Sequence, residues 1–134
     1  MHGLRGYKNL NDELMIGVRR GYLKGLDGRR SPVRKPHAAL NTLLQGAGAI
    51  ISKYWIVYAM GIIENEYNLQ WGYDKDFTLL IYSHDELDFA CLPEHAKKIE
   101  EACVRGADLA GKRLGFKLPV EVGVMHGVHW GECH

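Results

Sequence analysis

Three ionisable side chains stand side by side within an otherwise apolar stretch of the sequence. In LLIYSHDELDF, residues 79–89, His84, Asp85 and Glu86 follow a run of apolar and aromatic residues. Burying an unpaired charge is costly, so these charges indicate either a hairpin turn that reaches solvent or a metal site at the tip of that hairpin. Carboxylate oxygens are the ligands that hard cations such as Mg²⁺ prefer, which makes Asp85 and Glu86 candidate ligands.

A complete site for metal-assisted phosphoryl transfer needs more than this pair. Two-metal catalysis uses at least two carboxylates on rigid elements, with the metal ions roughly 3.5–4 Å apart. Neighbouring residues of a strand point to opposite faces of the sheet, so Asp85 and Glu86 cannot both be good ligands unless the turn rotates them together. The pattern therefore implies a second carboxylate from elsewhere.

A second candidate for metal binding lies at the end of the sequence, where the spacing is His-x-x-His-x-x-x-Cys-His. These residue types loosely match a zinc ligand set. No helix is predicted to align the two histidines, so the alternative is a packed tail anchored by Trp130. The candidate ligands are His126, His129, Cys133 and His134.

Uncharged polar residues recur along one face of a predicted helix. His37, Asn41 and Gln45 are spaced at i, i+4 and i+8, and the smaller Gly48 and Ser52 continue the same stripe. Asn and Gln can donate hydrogen bonds to the minor-groove acceptors of DNA, where readout follows groove shape more than base sequence. The alternative is an exposed polar face, or buried groups with partners inside the protein.

Positive charge is concentrated in the first part of the sequence. Residues 1–35 carry a net charge of +6 and residues 36–134 a net charge of −5. Such a cluster is typical of phosphate contacts, although a solvated basic surface produces the same pattern. The basic residues are densest at Arg19, Arg20, Lys24, Arg29, Arg30, Arg34 and Lys35.

The length of 134 residues predicts one domain over 1–134 with a real core, beginning with a weakly patterned segment, 1–16. No apolar run approaches the roughly 20 residues that cross a bilayer, and no signal-peptide pattern is present, so no membrane partner is expected. Three widely spaced cysteines favour a reducing compartment, the cytoplasm.

Helical spacing of apolar residues predicts one long and one shorter helix, and turn signals mark two hairpins. The predicted fold is α+β, with antiparallel hairpins packed against two helices. The predicted order begins with a hairpin over 19–34 around Asp27-Gly28, a helix over 37–65 that Pro36 starts, and a loop over 66–76. Two short strands over 77–82 and 87–91 follow, and then a helix from Pro93 to Gly115. The last element is a strand over 116–124, which Pro119 restricts to a sheet edge or a bulge. Asn11 or Asp12 could also cap a short helix near the start.

Three stretches, taken in order, resemble family A (polymerase I-like) DNA polymerases. GLDGRRSPVRKPHAALNTLLQGAGAIISK resembles the segment that leads into a long palm helix of this family. LLIYSHDELDF resembles the family's motif C, and VEVGVMHGVHWGECH resembles its extreme C-terminus. The segments KGLDGR and PHAALNTLLQ are most similar to the phage replicative branch of the family. The resemblance covers residues 17–134.

The resemblance implies roles for the residues of the hairpin. Asp85 would be the catalytic carboxylate that binds metal, with two Mg²⁺ ions in the complete site. His84 would lie against the primer terminus, and Glu86 would be an accessory acid. Ser83 stands where the family usually has Val, which leaves the acids untouched.

The resemblance also implies contacts with primer–template DNA. Gln45 and Asn41 would touch its minor groove near the active site. His37 stands where bacterial members often have Arg, and the phage branch is similar to this sequence there. Basic residues before the helix would add phosphate contacts: Arg29, Arg30, Arg34 and Lys35.

Two parts of the family pattern are not found in these 134 residues. One is the second catalytic aspartate in a motif of the type Asp-x-Ser-x-x-Glu, and the other is the fingers helix that grips the incoming nucleotide. The sequence is therefore expected to be the C-terminal palm portion of a DNA-directed DNA polymerase that adds dNTP to a primer 3′-OH. A separate partner chain would supply the missing motifs, and the isolated chain would be inactive.

Two other functions remain open from the residues alone. The chain could be a non-catalytic DNA-binding or interaction module that retains the palm scaffold. It could also be a small zinc protein built on the His/Cys tail.

Overall fold

The computed structural model describes residues 6–133 and confirms the α+β class, with helices and two antiparallel hairpins. The α-helices are α1 (Tyr7–Arg20), α2 (Ala39–Asn65) and α3 (Ala96–Arg113). The strands are β1 (Tyr22–Lys24), β2 (Arg30–Pro32), β3 (Phe77–Ser83) and β4 (Glu86–Cys91). Short 3₁₀ turns occupy Pro36–Ala38, Pro93–His95 and Trp130–Glu132.

The chain divides into two compact units, residues 1–50 and 51–134. Helix α2 begins in the first unit and ends in the second. The organisation of 1–134 as one domain stays a prediction.

The first unit contains the predicted basic hairpin. Strands β1 and β2 pair antiparallel, with Tyr22 opposite Pro32. Gly28 has a φ of +84° in the connecting turn, a backbone conformation that glycine adopts without steric cost. The Asp27-Gly28 turn signal is thereby confirmed.

Helix α1 is longer than the sequence indicated. It includes Arg19 and Arg20, which were predicted to belong to the hairpin, and it ends at Gly21, whose N–H bonds the carbonyls of Gly17 and Val18. The helix is amphipathic, but only Leu14 of it is fully buried. The part of the 1–16 segment over residues 1–5 lies outside the described residues.

A small core holds the first unit together. It joins one buried residue of α1 to the hairpin and to the start of α2. Its members are Leu14, Leu23, Val33 and Ala39.

The core of the second unit joins α2, α3 and the second hairpin. Ile63 and Phe77 are its largest fully buried side chains. Phe77 is the first residue of β3, so the hairpin is anchored at its base. The other buried members are Ala59, Ile62, Leu69, Ile99, Ala102 and Cys103.

Helices α2 and α3 approach each other closely at one glycine. A Cβ built on Gly106 would lie 2.8 Å from the backbone N of Ala59, so no larger residue fits there. The indole N–H of Trp55 donates to the carbonyl of Cys103 at 2.8 Å, which satisfies a carbonyl on the facing helix. Burial raises the pKa of the Cys103 thiol to about 12, so this cysteine stays neutral as a packing residue.

Helix α3 ends in the way the glycine signal predicted. Gly115 has a φ of +74°, and its N–H and that of Phe116 bond the carbonyls of Lys112 and Gly111. This pattern is a Schellman motif, which satisfies carbonyls at the end of a helix.

The strand predicted over 116–124 is wrong. Within residues 6–133 this segment has no strand, and each sheet consists of one two-stranded hairpin. A strand needs a neighbour to satisfy its backbone groups, and Pro119 removes one donor from this segment. Phe116, Leu118 and Val124 are instead exposed, while Val120 and Val122 are half-buried.

The helical residues Pro36–Asn65 are long and apolar enough to cross a membrane, judged by length and composition only. The sequence did not predict this property of the helix, because the criterion was an unbroken apolar run and not a high mean hydropathy. Ala59, Ile62 and Ile63 of this helix lie in the core of the second unit. The core helix of a water-soluble domain has the same composition, so the helix by itself does not indicate a membrane.

Replacing Gly106 with alanine should destabilise the fold, because the new methyl group meets the backbone of Ala59. We expect Gly106→Ala to lower the free energy of unfolding by about 1–3 kcal/mol, measured by urea denaturation. Gly46→Ala is the matched control, since a Cβ there meets nothing within 4 Å and alanine favours a helix by about 1 kcal/mol. Equal stability of the two variants would contradict the close crossing.

Candidate active site

The acidic candidates lie at the tip of the second hairpin. Ser83 pairs with Glu86, which leaves His84 and Asp85 as a two-residue turn between β3 and β4. Asp85 is exposed in this turn, whereas Glu86 is half-buried as the first residue of β4. The two carboxylates therefore occupy different environments, and Asp85 is the one that is open to a ligand from outside.

The hairpin is buried at its base and exposed toward its tip. Phe77 is buried, and its ring centroid lies 6.2 Å from that of Phe89 on the opposite strand. The register shifts between Leu79 and Ile81, which is a β-bulge in β3. Because the base is held in the core while the tip projects, the apolar character of this segment does not mean a fully buried strand.

His84 has an unusual backbone conformation. Its φ is +52°, in the left-handed region that few L-residues other than glycine adopt, although asparagine, aspartate and histidine do so more often than the rest. Two-residue hairpin turns commonly place glycine or asparagine at such positions. Strained residues of this kind cluster at functional sites, so the turn is a reasonable place for a catalytic group.

The metal-binding capacity of the tip is partial. Among residues 6–133 no group of three or more His, Cys, Asp or Glu side chains could hold a metal ion. The carboxylate of Asp85 suits a hard divalent cation such as Mg²⁺, and that of Glu86 lies next to it in sequence. The tip thus offers an exposed carboxylate to a cation but no complete set of metal ligands within residues 6–133.

The sequence reasoning missed Asp88, three residues after Asp85. Its Oδ2 atom is buried and has no hydrogen-bond partner within the described part of the chain. Asp88 pairs with Ile81 on β3, beside the bulge. An unpaired buried carboxylate oxygen is costly, and the signal that could have identified it is the charged residue between Leu87 and Phe89.

The residues of the predicted zinc site make separate contacts. His126 Nε2 lies 3.0 Å from Glu100 Oε2 on α3, and His129 Nε2 lies 3.5 Å from Glu132 Oε1. They do not form a metal cluster with Cys133 within residues 6–133, and His134 lies outside the described residues. Trp130 was the alternative anchor of the tail, but its side chain is 60% exposed, so burial of this residue does not hold the tail.

The predicted DNA-facing stripe is exposed over its first part. His37, Asn41 and Gln45 are all exposed, but His37 lies in the 3₁₀ turn that precedes α2. His37 is therefore not aligned with Asn41 and Gln45 as regularly as three residues of one α-helix would be. Ser52 is buried, so the small size of that residue serves packing within this chain.

The structure separates the basic residues by their contacts. Arg29 forms an ion pair through Nε with Asp27 inside the hairpin turn. Burial acts to raise the pKa of Asp27, but the hydrogen bonds and charge of Arg29 outweigh it and leave the pKa lowered. Arg30 stacks on Tyr22, with the guanidinium carbon 4.8 Å from the ring centroid.

The remaining basic residues divide into two groups. Arg19 and Arg20 lie in the last turn of α1, where positive charge interacts favourably with the helix dipole. Arg34 and Lys35 are exposed before α2, and among residues 6–133 neither has an acidic partner. Arg34 and Lys35 are therefore open to phosphate contacts.

Comparisons with known proteins identify relatives of this sequence. No family model matches the chain. It is 40% identical over 123 residues to a DNA-directed DNA polymerase of Enterobacteria phage T3, which is 91% of this chain and 17% of that protein. It is 37% identical, with the same shares, to a DNA-directed DNA polymerase of Escherichia phage T7.

A solved structure shares both sequence and fold with the chain. It is the POL domain of Pol1 from M. smegmatis in complex with DNA primer-template and dNTP. The TM-score is 0.75 at 25% identity, over 94% of this chain and 23% of that one. The chain thus spans less than a quarter of the length of each protein that it matches here.

The positive φ of His84 predicts which substitutions the turn accepts. A β-branched residue is strongly disfavoured at positive φ, so His84→Val should lower the free energy of unfolding by about 1–2 kcal/mol, whereas His84→Gly should not. Urea denaturation followed by circular dichroism measures both. Ser83→Val is the control, because it adds the same side chain at the neighbouring strand position. Equal loss from both valine variants would argue against strain at residue 84.

Proposed function

Because this chain is homologous over 91% of its length to a segment of phage DNA-directed DNA polymerases, we propose that it forms the C-terminal palm portion of such an enzyme. The complete enzyme adds dNTP to a primer 3′-OH as a template strand directs. One observation carries the proposal: within a His-Asp-Glu sequence, Asp85 presents an exposed carboxylate on a turn whose hairpin is anchored in the core.

Each residue of the tip has a distinct role in this proposal. Asp85 contributes carboxylate oxygens to the metal site, and Glu86 is an accessory acid beside it. His84 lies against the primer terminus, where its strained backbone limits the positions open to the side chain. Two Mg²⁺ ions, when bound, would stabilise the negative charge that develops on the phosphate in the transition state.

The polar stripe and the basic residues would position the DNA. Asn41 and Gln45 can donate to acceptors in the minor groove, whose pattern varies little with base sequence. A polymerase must accept any correctly paired primer–template, so such shape-dependent contacts suit its task. Arg34 and Lys35 supply phosphate contacts, which give affinity without sequence preference.

In this proposal the rest of the metal site comes from polypeptide outside the described residues, on the same chain or on a separate one. Three features support such a neighbour. Leu80 and Tyr82 are exposed near the tip of a hairpin that pairs with no third strand within residues 6–133, and Leu118 is exposed after α3. The buried oxygen of Asp88 also lacks a donor in the described chain. Exposed apolar surface and open strand edges are features that a neighbouring segment covers.

A non-catalytic DNA-binding module is the second candidate. It is favoured by the single exposed carboxylate of the tip and by the lack of a three-ligand metal group within residues 6–133. Both candidates predict DNA binding, but only the first predicts that Asp85 is needed for catalysis.

We also infer that the protein acts in the cytoplasm of a bacterial host. The relatives are encoded by phages, and none of the three cysteines forms a disulfide within the described residues.

Catalysis should depend on Asp85 once the missing segments are supplied. The purified 134-residue chain should show no Mg²⁺-dependent primer extension, because it holds one side of the metal site. A chimera, in which this chain replaces the matching segment of the phage T3 relative, should extend a primer. Asp85→Asn in that chimera should lower the rate by about three orders of magnitude, since several kcal/mol of charge stabilisation are lost.

Asp74→Asn is the matched control, because it removes the charge of an exposed aspartate in the loop before β3. DNA binding by the Asp85→Asn chimera should stay within about twofold of the parent. Extension by the isolated chain, or an unchanged rate for Asp85→Asn, would refute the proposed role.

The contacts of the basic residues predict unequal effects on DNA binding. Arg34→Ala should weaken binding of a primer–template duplex and reduce the slope of log affinity against log salt by about one, because one phosphate contact is lost. Arg29→Ala should have a smaller effect on the affinity and on the salt slope, because the Arg29 guanidinium already pairs with Asp27. Fluorescence anisotropy of the 134-residue chain between about 50 and 200 mM salt measures these slopes.

Gln45→Ala separates groove contacts from phosphate contacts in the same assay. It should weaken binding and leave the salt slope unchanged, because a neutral amide releases no counterions. Binding that is insensitive to salt, or equal losses from Arg34→Ala and Arg29→Ala, would contradict this assignment.

A further inference from the structure

A groove lies between α1 and the start of α2, within the first unit. Its volume is about 210 Å³. From α1 it is lined by a single helical stripe that includes Tyr7, Asn11 and Met15, and from the 3₁₀ turn by Pro36 and His37. Two acidic residues of α1, Asp12 and Glu13, are not among the lining residues.

The lining has the chemistry of a site for a flat ring with polar edges. Tyr7 is 54% exposed at the groove and offers an aromatic face, while Met15 and Pro36 are apolar. Asn11 and His37 add hydrogen-bonding groups to the same groove. Pockets that enclose whole small ligands begin at roughly 300 Å³, so this groove suits one ring system and is too small for a complete nucleotide.

The surroundings of the groove carry positive charge. Lys8 follows Tyr7 in sequence, and Arg34 and Lys35 directly precede Pro36; all three are exposed. Single-stranded nucleic acid is bound by this combination, in which basic residues follow the backbone and an aromatic side chain stacks on a base. His37 belongs both to the groove and to the proposed DNA-facing stripe, so DNA on that stripe would pass close to the groove.

We propose that this groove binds one unpaired base of the template strand, ahead of the primer–template duplex. A base within the duplex is stacked and paired, so it cannot enter. An unpaired base can leave its neighbours and stack on Tyr7 at small cost. This inference rests on the proposed DNA-binding function and adds a site for the single-stranded template to it.

The test compares two DNA probes on the 134-residue chain by fluorescence anisotropy. One is a blunt duplex, and the other is the same duplex with a single-stranded 5′ template overhang. We expect the overhang probe to bind about fivefold or more tightly, and Tyr7→Ala to remove this advantage while binding of the blunt duplex is unchanged. Tyr7→Phe should retain the advantage, because the ring remains.

Two controls separate stacking from other causes. Tyr73→Ala removes a tyrosine that is 89% exposed in the loop before β3 and does not line the groove, so it should leave the overhang advantage intact. An overhang with abasic sites keeps its phosphates but lacks bases, so it should bind no better than the blunt duplex. Far-UV circular dichroism verifies that each variant is folded.

Each other outcome overturns the proposal in a distinguishable way. If the parent chain binds both probes equally, or binds the abasic overhang as well as the normal one, DNA binding stands but the groove takes no base. If neither probe binds at low salt, the proposed DNA-binding function fails and the groove assignment fails with it.

Discussion

The close approach of α2 and α3 at Gly106 and Ala59 is the constraint on which the second unit depends. A glycine at this crossing brings the two backbones near enough for Trp55 to reach the carbonyl of Cys103. The same core encloses Phe77 at the base of the hairpin. Since close-packed interiors transmit displacements rather than absorb them, the position of the hairpin tip, and so of Asp85, follows from the packing of these helices.

The tip is rigid at its base and chemically incomplete at its end. The hairpin holds Asp85 in a two-residue turn beside a strained His84, which presents one carboxylate in a defined place. Electrostatic catalysis depends on groups that are held in position before the reaction, because they then need no reorganisation during it. The apolar residues around the tip are exposed, and one oxygen of Asp88 is buried without a partner in the described chain.

The basic residues of this chain differ in the contacts that they make within the protein. Arg29 is held by Asp27, Arg30 stacks on Tyr22, and Arg19 lies at the end of α1. These arginines contribute equally to the net charge of the sequence. Their capacity to bind a phosphate group differs, because some already contact an acidic or aromatic side chain. The groove beside His37 is likewise a property of two elements, because its walls come from residues that are distant in sequence.

The sequence by itself determined the features whose signals are local. Apolar spacing identified α2 and α3, and Asp27-Gly28 and Gly115 marked a turn and a helix end. The catalytic role of the His-Asp-Glu motif stays a prediction. Only the tertiary structure decided which segments find partners. Residues 116–124 have strand-like composition but no neighbouring strand in the described chain, whereas α1 joins the core of the first unit through Leu14. Burial, ion pairing and strand pairing depend on residues that are distant in sequence. A local sequence pattern therefore does not predict them.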